Sequence, residues 1–72
     1  MDVRAVKARD LHKQATQSNL LAGKYREQRD RLVRQLRAED PAVWTYQNIA
    51  DAVRCSPELV ASIIRQGEDT HG

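Results

Sequence analysis

Apolar positions along the chain divide it into a long first half and a compact second half. In the first half Leu21, Tyr25, Leu32, Val33 and Leu36 recur at spacings that line one side of a helix. Ahead of them Val3, Val6, Leu11 and Ala15 mark a weaker face of the same period. No proline interrupts residues 2–39, and Gly23 is the one glycine there, at a cost of about 1 kcal/mol relative to Ala. The pattern favours a single long helix over residues 1–40. Ser18 and Asn19 offer caps for a fresh helix at Leu20, which leaves a break near 16–23 as the alternative. Asp40-Pro41 ends this segment, because proline disfavours helical geometry in the residue before it.

The second half carries short, sharp signals. Thr45 is an N-cap for a helix over about 46–53, with Ile49, Ala50 and Val53 on its buried side. Arg54-Cys55 makes a tight turn. Ser56-Pro57-Glu58 starts another helix with a capping hydroxyl, a first-turn proline and an acid at the positive helix end. Val60, Ile63 and Ile64 form its apolar side, Gly67 is its natural stop, and 68–72 reads as a flexible tail. The expected fold is all-α: residues 1–40 as a long basic helix, 41–67 as a helix-turn-helix, with Leu32, Val33, Leu36 and Trp44 completing its core.

Composition supports this reading and bounds the size. Seventy-two residues make one small domain, which buries only about 60% of its unfolded surface. The lone Cys55 cannot form an intrachain disulfide and suits a reducing compartment. No apolar run is long enough to span a membrane, and the Met1-Asp2-Val3-Arg4 start does not read as a signal peptide. The expected location is therefore cytoplasmic. Charge is unevenly spread: residues 1–40 carry ten basic and six acidic side chains, a net of +4, while 41–72 carry two and four, a net of −2. The basic half points to a polyanion such as nucleic acid. Opposite charges four apart at Arg26/Asp30, Glu27/Arg31 and Asp30/Arg34 are expected to support exposed helix faces.

Catalysis has no foothold in the sequence. His12 and His71 lie far apart, Cys55 has no evident base, no metal-ligand spacing occurs, and no glycine-rich phosphate loop is present. No cofactor or metal is expected. His12 reads as a surface residue and Cys55 as a small apolar residue of the turn.

The stretch from Trp44 to Arg65 resembles the helix-turn-helix of bacterial and phage regulators. Trp44, Thr45, Ile49, Ala50, Ser56, Val60 and Ile63 match the spacing of that motif, over about a third of the chain. Arg54 stands where such motifs usually carry the turn glycine, at a cost of order 1 kcal/mol if the backbone is left-handed there. The arrangement also resembles short actinobacterial and phage proteins in which a coiled-coil-like helix precedes the motif.

This resemblance implies a DNA-binding protein, a small transcriptional regulator whose recognition helix, about 57–66, enters the major groove. The outward positions are then Ser56, Pro57, Glu58, Ala61, Ser62, Arg65 and Gln66, with Arg65 suited to guanine and Gln66 to adenine. Arg34 and Arg37 are expected to reach phosphates, and Arg4, Lys7, Arg9 and Lys13 to form a separate basic arm. Leu11, Leu20, Leu21 and Tyr25 lack a partner if the long helix extends away. They are therefore the expected interface of a homodimer, whose two-fold symmetry suits a palindromic site. The alternative is a protein-interaction module, for example a phage protein binding a host factor in the host cytoplasm. Val60 to Glu68 also resembles the end of an excisionase recognition helix, which makes a recombination directionality factor a further possibility. Those proteins continue into a wing, for which five residues after Gly67 leave little room.

Overall fold

A computed structural model describes residues 2–17 and 20–69. Among them are four helices, α1 (Val3–Gln17), α2 (Ala22–Glu39), α3 (Tyr46–Val53) and α4 (Pro57–Asp69), and no strand. The all-α expectation holds.

The N-terminal half forms two helices, α1 and α2, where the sequence pattern favours one uninterrupted helix. The interruption falls inside the 16–23 window, and Leu21 stands at the N-cap of α2 without a side-chain capping bond. Ser18 and Asn19, the caps suggested by the sequence, lie outside the described residues. The physical reason for the fold-back is on the face of α1. Its buried stripe is Ala5, Ala8, Leu11 and Ala15 rather than Val3 and Val6, and Val3 is 79% exposed. Small side chains at that spacing let α1 lie close against α2 and also touch α3. Asp2 starts α1 by accepting the Arg4 backbone N–H on its carboxylate. The Arg4 guanidinium then bridges Asp2 and Glu39, tying the start of α1 to the end of α2.

The core forms where all four helices meet: Ala8, Val33, Ile49, Ala50, Val53, Val60, Ile63 and Ile64 are buried together. Leu32, Trp44, Cys55 and Leu59 pack around it, and Leu36 is fully buried. Leu32, Val33, Leu36 and Trp44 therefore take the core-completing places expected of them.

Between α2 and α3 the chain is held mostly by polar contacts. Asp40 accepts the backbone N–H groups of Val43 and Trp44 on its carbonyl. The Arg37 guanidinium donates to the carbonyls of Pro41 at 3.1 Å and Trp44 at 3.2 Å, and stacks over Tyr46 at 4.9 Å from the ring centre.

Candidate nucleic-acid interface

The α3–turn–α4 unit is built from local signals. The Thr45 hydroxyl accepts the Asn48 backbone N–H at 3.1 Å, and the Ser56 hydroxyl accepts that of Leu59 at 3.1 Å. Each satisfies one of the amide groups that a helix start leaves without a partner. At the other end of α3, Arg54 adopts the left-handed conformation with φ 65 and ψ 49. The backbone N–H groups of Arg54 and Cys55 both turn back onto the Ala50 carbonyl, at 2.8 and 3.0 Å, as in a Schellman closure. Arg54 thus performs the geometric task of the glycine usual in such turns, and is the one non-glycine residue with positive φ among those described.

On α4, Val60, Ile63 and Ile64 face the core, so Glu58, Ser62 and Arg65 share the opposite side. Glu58, Arg65 and Gln66 are exposed, Pro57, Ala61 and Ser62 are half-buried, and Ser56 is an exposed cap. Arg65 enters no ion pair with any described residue. Of the outward positions expected from the sequence, Glu58, Ser62 and Arg65 thus share one face of α4.

The two arginines expected to supplement it are engaged elsewhere. Arg34 Nε donates to the Ile63 carbonyl at 3.1 Å, and its side chain lies across Gly67, where a Cβ would meet Arg34 Nε at 2.6 Å. Gly67 does not stop α4, which runs on to Asp69. Its missing side chain instead makes room for Arg34. Arg37 is held by the loop it pins. Each therefore has a structural contact through one guanidinium nitrogen, Arg34 through Nε and Arg37 through Nη1.

The hydrophobic set expected at a dimer interface also changes. Leu11 is buried at 6% between the helices of its own chain and leaves that set, since the fold-back of α1 supplies its partner. Leu20 is 96% exposed, Leu21 about half so, and Tyr25 half-buried.

One cluster was not legible in the sequence. Arg29 is 5% exposed and fully engaged: Nε and Nη2 contact Asp30 Oδ1 at 2.9 and 2.8 Å, and Nη1 donates to His12 Nδ1 at 2.8 Å. His12 is accordingly a half-buried bridging residue rather than a plain surface one. Burial holds its pKa below the ordinary histidine value, the Arg29 charge adds to that shift, and Asp30 opposes it. The expected pairs at Arg26/Asp30, Glu27/Arg31 and Asp30/Arg34 are not among the ion pairs of the described residues, and Asp30 serves Arg29 instead.

Cys55 packs against the core as a half-buried residue. Burial pushes its thiol pKa up, which disfavours the thiolate a nucleophile needs. Among the described residues no group of His, Cys, Asp and Glu is placed to hold a metal ion, and no helix is long and apolar enough to cross a membrane. His71 lies outside the described residues. Comparisons with protein-family models, with curated proteins and with solved structures return no match.

Proposed function

We propose that this chain is a double-stranded-DNA-binding protein, a small transcriptional regulator of phage or bacterial type that acts as a homodimer and presents α4 to the major groove. The observation that carries this reading is the capped α3–turn–α4 unit with Glu58, Ser62 and Arg65 on its outward face. Arg65 is the principal reader, because an exposed guanidinium that enters no ion pair among the described side chains can donate two bonds to guanine. Ser62 and Gln66 flank it. Ser56, Pro57 and Glu58 serve first to start the helix, and Ala61 supplies a small apolar contact. Copies meet through Leu20, Leu21 and Tyr25 at the tip of the α1–α2 hairpin, where burying each large apolar side chain is worth about 1.5–3 kcal/mol.

The test is a salt series of duplex binding on random and genomic DNA with the full chain. Affinity that falls steeply with salt, together with a sequence preference, is the expected result. Arg65→Ala should relax that preference at one base pair, costing about 1–3 kcal/mol there. Absence of binding even at low salt would reject the reading. A second reading, a protein-interaction module, draws on the 96% exposure of Leu20 beside Leu21, and takes over in that event. Sedimentation at tens of micromolar tests the homodimer, and a monomeric mass would remove it.

A further inference from the structure

The fold-back of α1 places basic residues where an extended helix would not. Because α1 packs on α3, Arg9 and Lys13 come to line one cleft with Arg54 of the α3–α4 turn, a space of about 430 Å³. Asp10 is the one carboxylate among its lining residues, and it engages Arg9 only loosely, at 3.9 Å. Lys13 and Arg54 enter no ion pair with any described residue. His12 shares the cleft, where burial lowers its pKa. Three cations thus face one carboxylate in a recess whose protein walls concentrate their field.

The occupant is constrained by chemistry and by place. No Phe, Tyr or Trp lines the cleft and Val53 is its one aliphatic residue, while the His12 ring is already engaged by Arg29. The three cationic side chains of the recess suit phosphate oxygens. Arg54 stands two residues before Ser56, the cap of α4, so an anion in the cleft lies at the entry to the recognition helix. We propose that Arg9, Lys13 and Arg54 seat backbone phosphates of the duplex that α4 reads, an inference that rests on the DNA-binding reading above. The contacts set affinity and orientation, while α4 sets sequence preference. They also answer the electrostatic deficit of the motif, whose own segment from 41 to 72 is net acidic.

The experiment compares the intact chain with the triple variant Arg9→Gln, Lys13→Gln, Arg54→Gly. Glycine keeps the left-handed turn, and helicity by circular dichroism verifies the fold. On random and preferred duplexes, the variant should show a slope of log affinity against log salt less steep by about two to three, with sequence preference unchanged. Lys13→Gln alone should lower the slope by about one. A wild-type protein that binds duplex while both variants keep its slope overturns the cleft proposal and leaves the DNA reading standing. A wild-type protein that binds no duplex at low salt removes both. Single strands that compete as well as duplex would overturn the assignment to duplex phosphates.

Discussion

Arg29 Nη1 donates to His12 Nδ1 across 2.8 Å, joining the middle of α2 to the middle of α1. The bond requires the histidine nitrogen to be unprotonated, since an imidazolium has no acceptor. Docking of α1 is thereby tied to the charge state of one ring.

That tie predicts a pH dependence. With its folded pKa depressed, His12 binds a proton more readily in the unfolded chain. Its contribution to stability is therefore complete above the unfolded value of about 6.5 and is lost as pH falls through the lower folded value. Urea denaturation between pH 7.5 and 5 should show stability declining with acidification. His12→Gln should flatten that decline in the upper part of the range, and an unchanged profile would contradict the role given to the ring.

Arg54 holds a left-handed backbone that costs a residue with a Cβ of order 1 kcal/mol. Arg54→Gly should raise stability by about 0.5–1 kcal/mol, the relief being partly offset by glycine's larger unfolded-state entropy. Arg54→Val should lower it, because β-branching makes that conformation worse. Thermal melts of both variants give opposite signs if the turn is as described.

Gly67 and Arg34 should be coupled. Alanine is ordinarily the better helix residue by about 1 kcal/mol. Here its Cβ would meet Arg34 Nε at 2.6 Å and Cδ at 2.8 Å, displacing the bond to Ile63. Gly67→Ala should therefore gain little or lose stability alone, yet recover about 1 kcal/mol in an Arg34→Ala background. Additive effects in that double-mutant cycle would rule out the packing inferred for this pair.

The two hydroxyl caps should each matter. Thr45→Ala and Ser56→Ala remove an acceptor for the backbone N–H of Asn48 and of Leu59, at about 1 kcal/mol apiece. Chemical denaturation would reveal each loss as a lower midpoint with little change in slope.

Much of the second half was legible because its signals are local. The Thr45 cap bonds three residues on, the Ser56 cap does the same, and the apolar spacing of Ile49, Val53, Val60 and Ile63 states which faces are buried. The first half was harder to read. Its alanine stripe has too weak a hydrophobic contrast to separate a packed α1 from a solvated one, and Val3 and Val6 drew attention to the wrong side. In the interface, the outward positions of α4 followed from its helical period. The bond from Arg34 to Ile63 and the burial of Leu11 did not, because each depends on a partner from elsewhere in the fold.

By itself, then, the sequence determined the all-α class, the capped starts of α3 and α4 and the face that α4 turns outward, since these depend on φ/ψ preferences and periodicity within a few residues. Tertiary structure alone decided that α1 folds back, that Arg29 is buried against His12 seventeen residues away, and that Arg34 crosses Gly67 to reach Ile63 twenty-nine residues away. It also decided that Arg9 and Lys13 stand beside Arg54 at the turn. The reason is physical: a long cationic side chain takes whichever acceptor the packed helices bring within reach, and local sequence does not encode that proximity.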